Sequence, residues 1–467
     1  MLNEFDQDTI AAISTPLGEG GLGVVRLSGK DAVVIADKIF VSRKGASVRD
    51  QKSFTAQYGH IVSNGETGGP KIIDEALLLL MRGPKSYTCE DVVEISAHGG
   101  PAVLQAILEL VVKAGARLAG KGEFTKRAFL NGRIDLLQAE AVLDLVKAKT
   151  ELGRQWASAQ LEGVFSKKIQ GFKNELLDVL SHLEASIDFP DDFPETRSVA
   201  EIGARLEKVA ASLNELLASA QAGMTIKSGL KLVISGRPNV GKSSLMNQLA
   251  KYNRVIVTPF PGTTRDVVEE EIEIGGFPVR VSDTAGIQDT EHPIEKEGIE
   301  RSKRAAAEGD LVLYVVDGSQ EWSPEDQELL SGLQGRRALL VINKTDLPQR
   351  LDRSRMKEHL NGTCLVETSC VREGGTTTLE RKLINLITQG NISSSDETVV
   401  STVRQRDLLE KTAKNLEDAE KACLAGISPE FVALDVRLAL DHLGMLVGEV
   451  VTDDLLEVLF NQFCIGK

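Results

Sequence analysis

The chain has 467 residues, which at roughly 150 residues per domain predicts about three domains. Apolar residues make up 42% and charged residues 26%, a globular composition that excludes wholesale disorder. The formal net charge of −14 argues against a protein that coats nucleic acid through its overall charge.

The start of the chain and the cysteines bear on the compartment. The N-terminal sequence MLNEFDQDTI is acidic and has neither the basic start nor the apolar stretch of a secretory signal. No apolar run approaches the ~18 residues of a membrane span. The five cysteines show no CxxC pairing. We therefore expect a soluble cytoplasmic protein that does not associate with membranes.

Short apolar runs separated by glycines occupy the first part of the chain. They are VVRLS at 24–28, EALLLLM at 75–81 and DVVEIS at 91–96, and a helical stretch follows at 102–113. This mixture predicts an α+β domain at 1–120.

Helical periodicity then dominates as far as residue 223. Leucines and valines recur at helical spacing, and prolines stand only at Pro190 and Pro194, where they predict a break between two long helices. We expect residues 121–223 to form the first part of a helical domain.

Strand-like runs alternate with helical stretches between residues 224 and 389. The runs LKLVIS, VRVSD, LVLYVVD, ALLVIN and CLVETS predict βαβ units around a largely parallel sheet. The polar stretch at 391–398 is typical of a linker, and residues 390–467 are again helical. The expected architecture is therefore multi-domain α+β, with an α/β domain inserted into a discontinuous helical domain.

A phosphate-binding loop follows the run LKLVIS. The sequence GRPNVGKSS fits G-x-x-x-x-G-K-[ST] at Gly236, Gly241, Lys242 and Ser243. Glycines let backbone N–H groups surround phosphate oxygens, and the positive end of the next helix adds to the field. We expect Lys242 to reach the β- and γ-phosphates and the Ser243 hydroxyl to ligate Mg²⁺.

Three further motifs follow in the order expected of a GTPase: PGTTRD, DTAG and NKTD. Asp283 of DTAG ends a strand and could lie near the metal, and Thr263 and Thr264 lie in a loop that could close on Mg²⁺. The carboxylate of Asp346 in NKTD can accept from both guanine donors, whereas adenine has neither. A Ras-like P-loop GTPase is predicted.

The position after DTAG lacks the water-orienting glutamine of many small GTPases. Ile287 stands there and cannot orient a water molecule. The following segment contains several carboxylates, and Arg237 and Arg265 are near enough in sequence to be considered as internal arginine fingers.

The whole chain resembles the MnmE (TrmE) family of tRNA-modification GTPases, within the TrmE-Era-EngA-like P-loop GTPases. The resemblance rests on the motifs above, on their insertion between helical segments, and on GEGGLGVVRLSG, GEFTKRAFLNGRIDLLQAEA, IDFPDD and the C-terminal FCIGK.

The resemblance implies a potassium-activated GTPase whose G domains dimerise across the nucleotide. It implies potassium ligands at Asn239, Thr258, Phe260 and Thr263, Mg²⁺ ligands at Ser243 and Thr264, and catalytic roles for Glu295, Lys242 and Thr264. The implied GTP contacts are Asn239, Val240, Gly241, Lys242, Ser243, Ser244, Thr258, Pro259, Phe260, Pro261, Gly262, Thr263, Thr264, Asp283, Thr284, Ala285, Gly286, Asn343, Lys344, Asp346, Ser369 and Cys370.

The resemblance also implies a homodimer formed by the N-terminal domain, which binds a 5-formyl or methylene tetrahydrofolate. The implied folate contacts are Arg26, Glu94, Arg133 and Lys467. With the flavoprotein MnmG (GidA), the chain would help add a carboxymethylaminomethyl or aminomethyl group to C5 of the wobble uridine of tRNA.

Two questions stay open from the sequence. Cys464 could take part in the modification chemistry, or it could be a thiol on a tail that only brings Lys467 to the folate. The alternative function is a regulatory GTPase switch, for instance in ribosome assembly, without modification chemistry. Such proteins usually append a basic RNA-binding module, which this acidic chain does not show.

Overall fold

The structure is a computed structural model that describes residues 8–63, 71–189, 195–252, 254–255, 269–283, 309–331, 336–352, 364–388 and 398–467. The chain divides into two compact units. Unit 1 contains residues 1–143 and 444–467, and unit 2 contains residues 144–443.

Unit 1 is built on a seven-stranded sheet in the order β3-β4-β5-β6-β2-β1-β7. Neighbouring strands are antiparallel except for β1 and β7. The strands are β1 Ile10–Ile13, β2 Gly23–Ser28, β3 Phe40–Ser42, β4 Thr55–Ser63, β5 Lys71–Met81, β6 Val92–Ala97 and β7 Arg117–Leu118.

Helices cover the sheet of unit 1 and complete its core. Pro101 occupies the first turn of α2, where its missing N–H costs no helical hydrogen bond. A second small core forms where α3 and the start of α4 pack against the C-terminal helix α14. The helices are α1 Ala32–Ile39, α2 Pro101–Lys113, α3 Glu123–Leu130, α4 Leu136–Lys147 and α14 Asp453–Phe460.

Unit 2 combines long helices with a second sheet. The threonines Thr150 and Thr402 cap α5 and α12, because each side chain accepts a hydrogen bond from a backbone N–H of the first turn. The helices are α5 Glu151–Leu161, α6 Val164–Asp188, α7 Glu195–Ala218, α8 Ala220–Ser228, α9 Lys242–Tyr252, α10 Pro324–Ser331, α11 Thr377–Thr388, α12 Val403–Leu424 and α13 Pro429–Val447, the last running into unit 1.

The sheet of unit 2 has the order β14-β13-β12-β8-β11-β10-β9. The strands from β14 to β11 are parallel, and β10 and β9 are added antiparallel. Every residue of β12 is buried, as expected of a central parallel strand covered on both faces. The strands are β8 Leu230–Ser235, β9 Arg254–Val255, β10 Glu269–Ile274, β11 Phe277–Asp283, β12 Leu311–Asp317, β13 Ala338–Asn343 and β14 Cys364–Glu367.

The predicted fold class is confirmed. The α+β N-terminal sheet, the helical segments on either side of residues 224–389 and the largely parallel inserted sheet are all present. The break predicted at Pro190 and Pro194 lies outside the described residues; α6 ends at Asp188 and α7 begins at Glu195. The domain boundaries drawn from composition stay a prediction, and none of the described helices is long and apolar enough to cross a membrane.

Candidate functional site

The phosphate loop connects β8 to α9. Gly236 and Gly241 have φ angles of +146° and +96°, which glycine adopts without steric cost. A Cβ atom on Gly236 would overlap the carbonyl oxygen of Val315, and one on Gly241 would overlap the side-chain amide of Asn343. Both glycines are therefore required by close packing of the loop as well as by its turn.

Lys242 begins α9 and folds back over the loop that precedes it. Its ammonium donates to the carbonyl oxygens of Gly236 at 2.9 Å and Arg237 at 2.8 Å, and the residue is 7% exposed. Ser243 and Ser244 stand exposed in the first turn of the same helix, where backbone N–H groups have no intrahelical partner. This end of α9 presents donors and a cation to a phosphate group.

The NKTD segment is attached to the phosphate loop by two side chains. Asn343 is buried and its amide donates to the carbonyl oxygen of Val240 at 3.0 Å. Lys344 donates to the carbonyl oxygen of Asn239 at 2.8 Å and to the buried carboxylate of Asp317 at 2.7 Å. Residues about a hundred positions apart in sequence are thus held together.

Asp317 keeps its charge within this arrangement. Burial raises its pKa, but hydrogen bonds from Lys344 and Ser319 outweigh burial and hold the pKa below its usual value. The carboxylate is therefore ionised at neutral pH and anchors Lys344. Asp317 ends the central strand β12, and no sequence motif marked it.

Asp346 lies next to the segment that follows β14. Its carboxylate accepts a hydrogen bond of 2.6 Å from the Ser369 hydroxyl, and this bond lowers the pKa of Asp346. Burial raises the pKa of the neighbouring Cys370 thiol, whose sulfur lies 3.5 Å from the side-chain oxygen of Asn343. The predicted base-reading carboxylate and the predicted contacts at 369 and 370 are therefore adjacent in the fold.

Arg237 is held by a buried carboxylate on α10. Its Nε donates to Asp326 at 2.9 Å, and Asp326 is only 1% exposed. Tyr314 and Ser323 also donate to Asp326. The suggestion that Arg237 serves as an internal arginine finger finds no support here, because its guanidinium is engaged beside the loop. Asp326 carries no sequence signal that connects it to the phosphate loop.

Other predicted nucleotide and metal contacts lie outside the described residues. Asp283 ends β11, but only its backbone is described. Arg265 and Ile287 are also outside. The predicted contacts outside are Thr258, Pro259, Phe260, Pro261, Gly262, Thr263, Thr264, Thr284, Ala285, Gly286 and Glu295.

Within the described ranges, no cluster of three His, Cys, Asp or Glu side chains could hold a metal ion. Ser243 supplies a hydroxyl oxygen in the first turn after the phosphate loop. A hydroxyl is a suitable ligand for Mg²⁺, which keeps most of its shell as water and phosphate oxygens.

The predicted folate contacts of unit 1 lie around Tyr87. Arg26 on β2 pairs with Glu94 on β6 at 2.8 Å, because the two residues are register partners in the sheet. The guanidinium carbon of Arg26 lies 5.9 Å from the ring centre of Tyr87 and 5.6 Å from that of Phe124. The guanidinium carbon of Arg133 lies 4.8 Å from the Tyr87 ring, and its Nη1 donates to the Tyr87 carbonyl.

The C-terminal tail reaches the same place. Gly466 accepts a hydrogen bond from Arg26 at 3.3 Å, and its φ of +93° suits glycine. A Cβ on Gly466 would overlap the Ile13 carbonyl oxygen. The exposed Cys464 uses its carbonyl to accept from the Gly122 N–H, so the tail is anchored by its backbone next to Lys467. Tyr87 and Phe124 were not singled out by the sequence, since an isolated aromatic residue carries no motif.

The sheet order and loop placement define the class of protein. The phosphate loop follows β8, which lies centrally between β11 and β12, at the carboxyl edge where parallel α/β sheets bind ligands. With the NKTD segment starting at the end of β13 and attached to this loop, this is the site of a P-loop GTPase.

Comparison with known proteins identifies the family. The family model for the MnmE helical domain matches residues 136–464, and that for the GTP-binding protein TrmE N-terminus matches residues 9–133. The tRNA modification GTPase MnmE of Geobacillus kaustophilus is 45% identical over 100% of both chains, and that of Clostridioides difficile is 42% identical over 99% of this chain and 100% of the other. The chain belongs to the MnmE (TrmE) family of tRNA modification GTPases.

Among solved structures, the G domain of T. maritima FeoB is 28% identical and covers 33% of this chain and 97% of that chain, with a TM-score of 0.26. The family assignment rests on the two family models and on the relatives that match along the entire length.

Proposed function

We propose that this GTPase works with a flavoprotein partner of the MnmG type to add a carboxymethylaminomethyl or aminomethyl group to C5 of the wobble uridine of tRNA. A tetrahydrofolate derivative supplies the one-carbon unit. The observation that carries the proposal is the coexistence in one chain of a P-loop GTPase site and a cluster of arginines and aromatic rings in the N-terminal unit. The relatives' name, tRNA modification GTPase, supplies the substrate class.

In the nucleotide site, GTP is held by its phosphates and its base. Lys242 and the first turn of α9 bind the phosphates, while Asp346 accepts from the N1–H and the 2-amino group of guanine. Ser243 and Thr264 would hold Mg²⁺, which supplies positive charge to the β- and γ-phosphates. Glu295 orients the attacking water in place of the absent glutamine.

Potassium takes the part of an arginine finger in this proposal. The cation supplies positive charge to the phosphates as they develop negative charge. Asn239 would hold it together with oxygen atoms of Thr258, Phe260 and Thr263. Two observations support this role: Asn239 is exposed beside the phosphate loop, and Arg237 is engaged by Asp326. The complete potassium site forms when two G domains pair across the nucleotide.

The folate proposal rests on the chemistry of the Tyr87 cluster. Arg26 and Arg133 flank an aromatic ring, an arrangement suited to a flat ligand that also carries carboxylates. Lys467 would add a cation, and Glu94 would accept from ring N–H groups of the pterin. The residues present therefore fit a folate, which supplies a one-carbon unit when bound. Each subunit of the proposed homodimer contributes such a site through its N-terminal domain.

A reconstitution tests the proposed function directly. Purified protein is combined with the flavoprotein, tRNA, GTP, 5,10-methylenetetrahydrofolate and an amine that supplies the nitrogen, glycine for the carboxymethylaminomethyl group or ammonium for the aminomethyl group. Each component is omitted in turn, and tRNA nucleosides are measured by mass spectrometry. We expect modified wobble uridine only in the complete mixture. Unchanged wobble nucleosides in the complete mixture and in tRNA from a deletion strain would leave the regulatory switch as the function.

The tail offers a separate test of the folate site. Gly466→Ala should displace Lys467, because the added Cβ overlaps the backbone of β1, and tetrahydrofolate affinity measured by calorimetry should fall about tenfold. Gly426→Ala is the matched control, since Gly426 also has a positive φ but has open space around it. Equal affinities of the two variants would show that the tail does not contribute to folate binding.

A further inference from the structure

Unit 2 contains a cavity of about 70 Å³ among α4, α5, α6 and α8. Its walls include the aromatic ring of Phe165 and the aliphatic side chain of Ile226. None of its lining residues belongs to the phosphate loop or to the NKTD segment. The proposed GTPase and folate chemistry make no use of it.

Two buried hydrogen-bond donors face this cavity from α5. Trp156 and Gln160 lie one helical turn apart and are 8% and 6% exposed. Within the described part of the chain, the indole Nε1 of Trp156 and the amide Nε2 of Gln160 have no acceptor. Since a buried donor without an acceptor loses the hydrogen bonds it made to water, the pair indicates that the cavity receives a molecule bearing acceptor atoms.

The charges around the cavity favour an anion. Lys147 and Lys227 are among its lining residues, and Asp144 is the one lining carboxylate in this described region. Asp144 lies 2.7 Å from the Lys227 ammonium and accepts from Ser401 at 3.3 Å. The lining residues thus carry two ammonium groups and one carboxylate. The two donors, next to these ammonium groups, match a carboxylate, whose two oxygens can each accept a hydrogen bond.

The volume limits the ligand to a small molecule. One water-sized position requires roughly 10–15 Å³, so the cavity accommodates about five non-hydrogen atoms. We propose that this cavity binds a short-chain monocarboxylate such as propionate. The carboxylate accepts from Trp156 and Gln160, and the alkyl chain contacts Phe165 and Ile226. Ile226 also packs against the core of the sheet that carries the phosphate loop, so the site adjoins the GTPase fold.

The two tryptophans of the chain allow a direct binding measurement. Trp322→Phe leaves Trp156 as the single tryptophan, and its emission reports on the cavity. Sodium propionate is titrated against sodium chloride at equal ionic strength and pH. We expect a saturable change in emission at millimolar propionate and none with chloride. A response that does not saturate, or that chloride reproduces, would mean that the cavity holds only water and would overturn the proposal.

Two glutamines on α5 supply matched variants. In the Trp322→Phe background, Gln160→Met removes the buried donor at similar volume and should weaken propionate binding about tenfold. Gln155→Met makes the same change at an exposed position of the same helix and should leave binding unchanged. Equal affinities in the two variants would contradict the assignment.

Two further measurements keep the test decisive. Ala157→Leu fills the cavity from its wall and should abolish the propionate response, with folding checked by GTP binding and near-ultraviolet circular dichroism. Propionamide has the same shape without the charge, and we expect it to bind at least about tenfold more weakly. Equal binding of the amide, or an unchanged response in the folded Ala157→Leu chain, would refute the carboxylate site.

Discussion

At the scale of single residues, the nucleotide site depends on carboxylates held in defined states of charge. Asp346, the proposed base-reading carboxylate, accepts from the Ser369 hydroxyl, while Asp317 anchors Lys344. Each carboxylate has a different task, although both stand at the ends of neighbouring parallel strands or just after them. The surrounding hydrogen bonds, more than the residue type, determine what each one does.

Asp346→Asn should lose the preference for guanine. An amide cannot accept from both the N1–H and the 2-amino group, and a hydrogen bond to a charged group is stronger than one to a neutral group. We expect GTP affinity to fall roughly ten- to a hundredfold in a titration with fluorescent nucleotide, with ATP affinity little changed. Xanthosine triphosphate is the complementary ligand, because its 2-carbonyl can accept from the new amide. A variant that keeps full preference for GTP over ATP would contradict the assignment.

Ser369→Ala should change how GTP binding depends on pH. The Ser369 hydroxyl lowers the pKa of Asp346 from its ordinary value of 3.8, so the charged form needed for guanine persists to lower pH. Binding is therefore complete above the pKa and is lost as the pH falls through it. Without the hydroxyl the pKa rises, and the loss of affinity should begin at higher pH.

The comparison for this pH series is Ser319→Ala, which removes a hydrogen bond that the Asp317 carboxylate accepts and leaves the Ser369–Asp346 hydrogen bond in place. Nucleotide dissociation constants are measured across the acidic range for the wild type and both variants. Superimposable profiles for wild type and Ser369→Ala would mean that the hydroxyl does not support the charge of Asp346.

At the scale of elements, α10 and the phosphate loop are joined by one buried ion pair. Asp326 on α10 accepts from Arg237, and the Arg237 carbonyl in turn accepts from Lys242. The helix is therefore linked to Lys242 through the backbone of the loop. The guanidinium of Arg237 is engaged in this connection.

Asp326→Ala should destabilise the chain by roughly 2–3 kcal/mol, because it removes the carboxylate that accepts from the Arg237 Nε and from the Tyr314 hydroxyl. A fully buried pair would cost about 3–5 kcal/mol, and the side chain of Arg237 is 18% exposed. The urea midpoint of unfolding is the measurement, with the exposed neighbour Glu325→Ala as control. Equal midpoints for the two variants would show that the pair does not hold the loop.

At the scale of the whole molecule, the proposed chemistry requires an inserted G domain to act in pairs and a folate cluster to act with tRNA. Unit 1 contains the N-terminal sheet and the C-terminal tail. Unit 2 contains the long helices and the GTPase sheet. Chain ends that are far apart in sequence thus complete a single candidate site in unit 1.

GTP turnover should depend on potassium and on pairing of the G domains. At equal ionic strength we expect turnover to be on the order of a hundredfold faster in potassium than in sodium. The reason is that the preorganised charge at the phosphates is lost in sodium. Phosphate release should also rise with protein concentration, because the cation site needs two G domains. Equal rates in the two salts would remove potassium from the mechanism, and rates independent of concentration would remove the pairing.

Local spacing was enough to predict the phosphate loop, NKTD and the sheet around them. The glycines at 236 and 241 set the backbone conformation of the loop, and the strands after residue 229 are marked by short apolar runs. Both features depend on residues that are close in sequence, so they leave a recognisable local pattern. The roles inferred for Glu295 and for the loop from 258 to 264 stay predictions.

Other features were decided only by tertiary packing. Arg26 meets Gly466 across 440 positions of the chain, and Arg237 meets Asp326 across 89. No periodicity connects residues so far apart, since their contact follows from sheet register and from the path of the tail. The sequence by itself therefore determined the class of enzyme and its nucleotide. Folding decided which arginines are engaged, which aromatic ring lies between the candidate folate residues, and which buried donors face a cavity.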